Sequence, residues 1–278
     1  FHVIYKPKLF CTEYIRHNKM DNNIIIIGLI LIIFIVLTFV IQIYLDNDLQ
    51  LDNFFYNVDD ISTDLNKIET NKISIYNECI EVYKNIAWTD WPEKQLYAEK
   101  NGWKIFPFYA FGIWAKDNCK SCPTIFKFLK KIKGLKLATL SKLSPHTKLL
   151  PHYGWAKHSN HVIRCHYGLL VPKGCYISVS NNAVPPLYKN SDKLKSYPKN
   201  IYNYDKSGYI NEEIRFHTQF KWLIFDDSKV HYAENMSDSD RIVLIIDVER
   251  PSTIKTGKSK IGDTKELMEI VNYYKKLQ

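Results

Sequence analysis

The chain has 278 residues, 46% hydrophobic and 24% charged, a globular balance that excludes intrinsic disorder and collagen-like repeats. Nineteen Tyr, fourteen Phe and six Trp supply bulky apolar surface for a sizeable core, so no disulfide framework is needed to hold it. The net charge of +9 favours anionic partners, yet no Arg-rich helix, zinc-finger spacing or RNP-like aromatic motif accompanies it, and no nucleic-acid partner is expected.

Residues 1–23 read as a short cytoplasmic tail carrying Lys6, Lys8, Arg16 and Lys19; because the chain opens on Phe1, its translational start is taken to lie outside it. From Ile24 to Leu45 run twenty-two residues without a charge, IIIIGLILIIFIVLTFVIQIYL. A helix rising about 1.5 Å per residue crosses a hydrocarbon core of about 30 Å over that length. A cleaved leader has a shorter apolar stretch followed by small residues, whereas here Asp46, Asn47 and Asp48 follow directly, so 24–45 reads as a transmembrane anchor. Basic residues precede it and Asp46, Asp48, Asp52, Asp59, Asp60 and Asp64 follow, which predicts a single-pass type II orientation. Everything beyond residue 46 is then extracytoplasmic, in a lumen like that of the endoplasmic reticulum if the cell is eukaryotic.

Residues 46–77, acidic and Asn-rich, read as a stem. The spacing of Ile75, Cys79, Ile80, Val82, Tyr83 and Ile86 predicts a helix ending before Trp88. Short β-rich runs follow at 104–114, 135–143, 161–171, 175–181, 220–227 and 241–248, separated by Pro, Gly, Asn and Asp, and point to a sandwich or jelly roll. Between two of them, 182–213 is polar and far longer than an ordinary loop, hence either a disordered segment or a lid. The Lys-rich tail 252–278 reads as solvated surface. Cys119 and Cys122 form a single CxxC, half of a structural zinc site, and in an oxidising lumen a local disulfide is expected. Asn235-Met236-Ser237 is a glycosylation sequon.

A period of two on HVIRCHYGLLV puts Val162, Arg164, His166 and Gly168 on one face. On RIVLIIDV it aligns Arg241, Val243, Ile245 and Asp247. A guanidinium opening an otherwise apolar face either meets an anion, for which its planar fork suits a carboxylate, or reaches out to water from the strand end. His152 in PHYG and His231 in FDDSKVH each lie just outside a predicted strand, where loops bring metal ligands together.

Four separated motifs, PHYGW at 151–155, IRCHYGLLVPKGC at 163–175, FDDSKVH at 225–231 and RIVLIIDVERP at 241–251, resemble the catalytic domain of aspartyl/asparaginyl β-hydroxylases. The resemblance spans about 78–251 and implies a mainly β, double-stranded β-helix (jelly-roll, cupin-like) domain with flanking helices after one transmembrane helix. It implies dependence on Fe(II), 2-oxoglutarate and O2. Residue by residue, it makes His152 and His231 the metal ligands, with Gly154 where a carboxylate completes the usual triad. Asp226 and Asp227 are then supporting residues rather than a replacement ligand. It gives Arg241, helped by Ser141, the distal carboxylate of 2-oxoglutarate, gives Arg164 and His166 the cosubstrate near the metal, and makes Trp103 a lining residue. Ligation needs neutral imidazoles, so activity is expected to fall in acid.

Two departures bear on substrate. The spacing from His152 to Arg164 is a few residues longer than in the animal enzymes, and 182–213 looks inserted. The resemblance implies hydroxylation of Asp or Asn β-carbons in EGF-like protein domains. Two alternatives stand beside it: the same chemistry on a lipid acyl chain, as in lipid A hydroxylases, and a non-catalytic jelly roll that binds a ligand or partner.

Overall fold

The structure is a computed structural model describing residues 10–97, 102–181 and 212–276; most of the 182–213 segment lies outside the described residues. The chain divides into two compact units, Phe1–Leu51 and Asp52–Gln278.

The first unit holds helix α1 (Phe10–Leu49), within which Asn22–Ile43 is long and apolar enough to cross a membrane. None of that span is buried in protein, and Ile24, Phe34 and Phe39 are 63%, 64% and 69% exposed. A helix apolar on every side with no protein against it satisfies its backbone internally and suits a hydrocarbon solvent.

The second unit is built on two antiparallel sheets. The larger contains β1 (Phe55–Tyr56), β2 (Thr89–Asp90), β3 (Trp103–Ala110), β4 (Ile113–Trp114), β5 (Leu135–Leu143), β6 (Val162–Leu170), β9 (Trp222–Phe225) and β11 (Arg241–Glu249). Its order is β1-β9-β6-β11-β5-β3-β2, with β4 on β3. The smaller contains β7 (Cys175–Ser180), β8 (Glu212–Phe216) and β10 (Val230–Asn235), in the order β10-β7-β8. Strand alternation sorts the apolar side chains into two clusters. Ile163, Cys165, Tyr167 and Leu169 of β6, with Ile242, Leu244, Ile246 and Val248 of β11, pack on the outer face of the large sheet. There they meet Ile75, Cys79 and Val82 of α4 (Lys72–Asn85) and Ile125 and Leu129 of α6 (Pro123–Leu129). Val243, Ile245, Leu223 and Phe225 face inward and join Ile177, Val179 and Ala233 of the small sheet. The result is a jelly roll: a two-sheet β fold with an apolar interior and helices on one outer face. Glu78 fastens a helix of that face, accepting from Thr124 and Ile125 N–H (2.6 and 2.9 Å) at the N-terminal turn of α6.

The folded unit is larger than the expected 78–251. The residues read as a stem include β1, which pairs with β9 through Phe55↔Phe225 and Tyr56↔Ile224, then α2 (Val58–Ile61) and α3 (Asn66–Thr70). Leu65 and Ile68 there are fully buried. Helices of one turn are too short to display a hydrophobic period, so the sequence there looked featureless. At the other end, α8 (Lys265–Lys275) buries Leu267, Ile270 and Tyr274 as one stripe among its charges, capped by the Thr264 hydroxyl. Cys119, in α5 (Lys116–Ser121), and Cys122 are buried free thiols instead of the expected disulfide. The sequon is sequestered: Asn235 is fully buried, donating to Leu143, Ser144 and Ser239 carbonyls (3.0, 3.0 and 2.8 Å) and accepting from Ser237.

Candidate active site

His152 and His231 come together through backbone pairing. His152 N donates to His231 O (3.0 Å) and His231 N to His152 O (2.9 Å), an antiparallel bridge that sets the two rings 4.3 Å apart. His231 therefore lies within β10 and not in a loop outside a strand, and both residues are buried. Each ring makes the same local bond: His152 Nδ1 to Leu150 O (2.7 Å) and His231 Nδ1 to Lys229 O (2.9 Å). A carbonyl only accepts, so Nδ1 carries the proton in both and each Nε2 presents a lone pair. Burial holds His152 down at about 3 and His231 at about 4, so both are neutral at physiological pH. Two neutral imidazoles with fixed tautomers, each with an Nε2 lone pair, are fitted to hold a transition metal. Among the described residues, no group of three or more His, Cys, Asp or Glu side chains converges as a metal site.

The space beside Gly154 is taken by a carboxylate from elsewhere in the chain. Asp227 Oδ1 lies 3.4 Å from His231 Nε2 and 2.5 Å from Arg164 Nη1. Arg164 also forms a two-pronged pair with Asp247, Nε to Oδ1 at 2.8 Å and Nη2 to Oδ2 at 2.7 Å. The two residues face each other across β6 and β11, and His158 Nε2 completes the group 2.7 Å from Asp247 Oδ2; it lies in α7 (Ala156–Ser159). Burial works against the Asp247 charge, but the Arg164 guanidinium outweighs it and holds the carboxyl below the usual range. Burial moves Asp227 the other way, above its ordinary value despite Arg164. Asp226 is set apart from this group: it pairs with Arg250 (2.6 and 3.0 Å) and receives Ser228 N–H, anchoring the turn before β10.

Further along the same interior face, Arg241 is 2% exposed and does not reach water. Among the described residues its Nε and Nη1 are buried without hydrogen-bond partners, and burial lowers its pKa to about 10. A guanidinium so enclosed is unfavourable until an anion joins it, which fits a carboxylate ligand. Arg241 is in register with Leu143 and Leu143 with Trp103; Ser141, two residues along on the same face, accepts from Trp103 Nε1 at 3.0 Å. Trp91 stacks on Trp103 with centroids 4.5 Å apart. His166 shares the face of Arg164, as alternation predicted, and is buried, its Nδ1 3.2 Å from Nε2 of His217. The structure thus gathers His152, His231, Arg164, His166, Arg241, Ser141 and Trp103 on the jelly-roll interior. Sequence reasoning missed His217, Asp247 and His158 as members of this set. Asp247 had been aligned on the correct face, but its partner is visible only in the strand register.

A family model described as aspartyl/asparaginyl beta-hydroxylase matches residues 69–185 and 204–251. The chain is 32% identical over 149 residues to an ornithine lipid ester-linked acyl 2-hydroxylase of Rhizobium tropici, covering 54% of this chain and 42% of that protein. It is 26% identical over 200 residues to aspartate beta-hydroxylase domain-containing protein 2 of Mus musculus, covering 68% and 48%. Against the aspartyl/asparaginyl beta-hydroxylase of Mus musculus it is 28% identical over 190 residues, covering 66% and 21%. The chain thus spans less than half the length of these relatives. The family match covers more than half of the chain and includes every interior site residue described above, so the protein belongs to the aspartyl/asparaginyl β-hydroxylase family.

Proposed function

We propose that this chain is an Fe(II)- and 2-oxoglutarate-dependent dioxygenase that hydroxylates the β-carbon of Asp or Asn residues in protein substrates, EGF-like domains among them. The observation that carries the reading is the presence, in one buried interior, of two imidazole Nε2 lone pairs and of a guanidinium whose Nε and Nη1 have no hydrogen-bond partner among the described residues. One set suits a metal and the other a dicarboxylate. Iron(II) with 2-oxoglutarate and O2 supplies oxidation of an unactivated C–H bond, with succinate and carbon dioxide as co-products.

In this reading His152 and His231 hold the metal through Nε2. Arg241 neutralises the distal carboxylate of the cosubstrate, with the Ser141 hydroxyl beside it, and Trp103 forms a wall. Arg164 and His166 serve the end nearer the metal. Arg164 is itself oriented by Asp247 and Asp227, so its charge is partly balanced before any ligand arrives. Val243, Ile245, Leu223 and Phe225 line the interior and keep water from the reacting centre. The apolar helix would place this domain beyond the membrane as a type II protein in an extracytoplasmic lumen.

A second substrate class is favoured by one observation, the 32% identity to a lipid acyl 2-hydroxylase. Succinate release from 2-oxoglutarate and Fe(II), with an EGF-like peptide or with lipid acyl chains, separates the readings. A peptide gaining one oxygen supports the first, and a hydroxylated acyl chain the second. No succinate from iron-loaded protein overturns both and leaves a ligand-binding jelly roll.

A further inference from the structure

His217 follows β8 and extends its ladder by one bond, its N–H donating to Cys175 O at 2.8 Å. That bond turns the imidazole inward, where it is 7% exposed. It lies against His166 with ring centroids 5.5 Å apart, an interplanar angle of 16° and a single nitrogen contact of 3.2 Å, His217 Nε2 to His166 Nδ1. Burial above all, with the Arg241 charge, keeps both rings well below their ordinary value, so each is neutral with one N–H and one lone pair. One N–H is used in the contact between them. The pair retains one further donor and one further acceptor, at His166 Nε2 and His217 Nδ1, and both of these atoms are buried with no hydrogen-bond partner among the described residues.

The two ends are therefore tied together. When His217 Nε2 carries the shared proton, His166 Nε2 is a donor; when His166 Nδ1 carries it, His166 Nε2 is an acceptor and repels an anion. A carboxylate entering beside Arg241 favours the first arrangement.

We propose that His217 is a positioning residue of the cosubstrate pocket: by donating from Nε2 to His166 Nδ1 it sets His166 as the tautomer whose Nε2–H is offered to a small dicarboxylate. This rests on the cosubstrate reading above. His217 touches neither of the proposed metal ligands in the contacts described, so its role separates from metal binding.

The test uses the full chain in detergent and measures 2-oxoglutarate binding by calorimetry on the Mn(II)-loaded protein and imidazole tautomers by nitrogen NMR on the diamagnetic Zn(II)-loaded protein. In wild type the His166 spectrum shows protonated Nε2. His217→Phe keeps ring bulk without a donor and weakens 2-oxoglutarate binding about ten-fold, the loss of one hydrogen bond to a charged group. His217→Gln restores a donor and recovers most of that affinity, and Mn(II) affinity is unchanged in both. Equal 2-oxoglutarate affinity in wild type and His217→Phe, or His166 protonated on Nδ1, overturns the role of His217 while leaving the cosubstrate reading intact. An equal loss in the Phe and Gln variants reduces His217 to packing and also overturns it. Wild type that binds Mn(II) but not 2-oxoglutarate overturns the cosubstrate reading itself. If the Phe variant does not fold, the wild-type tautomer still decides.

Discussion

Asp227 occupies the space into which a side chain at position 154 would project. A Cβ on Gly154 would collide with Asp227 Oδ2 and lie 2.9 Å from Asp227 Cγ and 2.6 Å from Ser159 Cβ. The glycine two residues after His152 is thus a steric requirement of this fold. Gly154→Ala should destabilise the protein by about 1–3 kcal/mol through overpacking. Pairing it with Asp227→Ala should return part of that loss, since the shorter side chain at 227 leaves room for the added Cβ, which in turn fills part of the space vacated. Thermal or urea melts of the double-mutant cycle check this; additive losses would show that the two sites do not compete for space.

The bridge between His152 and His231 predicts the response to metal removal. A metal present at about 100 times its dissociation constant stabilises the folded state by about 2.7 kcal/mol. Chelation should therefore lower the melting temperature of wild type and leave His152→Ala and His231→Ala unmoved, because neither variant retains a metal to lose. The same two variants should release no succinate. A chelator-sensitive melt in either one would mean that the metal sits elsewhere.

Arg241 separates stability from function. As a buried guanidinium with unpartnered Nε and Nη1, it costs the ligand-free protein stability. Arg241→Met keeps the apolar stem and should leave the ligand-free melt unchanged or raise stability by about 1–4 kcal/mol. Its affinity for 2-oxoglutarate should drop roughly 10–100-fold. Destabilisation of the ligand-free protein would reveal a structural partner for this side chain.

Glu93 is 5% exposed and receives Trp91 Nε1–H at 3.0 Å. Burial raises its carboxyl from 4.5 to about 7, with Glu266 and Asp227 adding to the rise. Because the folded value lies above the unfolded one, its contribution is fully present below the unfolded value and is lost as pH rises through about 7. Glu93→Gln keeps an acceptor for Trp91 and should match wild type near about pH 4 while exceeding it by about 3 kcal/mol above about pH 8. Urea melts across that range check the sign; a wild type that gains on the Gln variant with rising pH would contradict it.

Asn235 is a structural residue despite its sequon. Asn235→Ala removes the donor shared by three carbonyls, that of Leu143 buried, and should destabilise by about 1–3 kcal/mol. Mass spectrometry of the folded protein from a glycosylating host should find this position unmodified.

Much of the site was legible because strand alternation is a local property. That Arg164 and His166 share a face of β6, and Arg241 and Asp247 a face of β11, needed only a period of two. The interior cluster and the outer cluster separate along those strands as that period requires. His152 and His231 were picked out as residues; His152 lies outside the named strands as expected, whereas His231 lies within β10, and a bridge of one residue pair leaves no periodic trace. His217 carried no signal beyond being a histidine at the edge of a long polar segment.

What the amino-acid sequence determined by itself was the apolar span of α1, the β character of the domain, and which side chains share a strand face, because each depends on neighbours a few residues apart. The tertiary structure decided which residues meet. It paired His152 with His231, gave Arg164 to Asp227 and Asp247, buried Arg241 with its Nε and Nη1 unpartnered among the described residues, and brought His217 onto His166. Those meetings join residues far apart in the chain, and they are governed by register between strands and by the space left between two sheets, which no local pattern encodes.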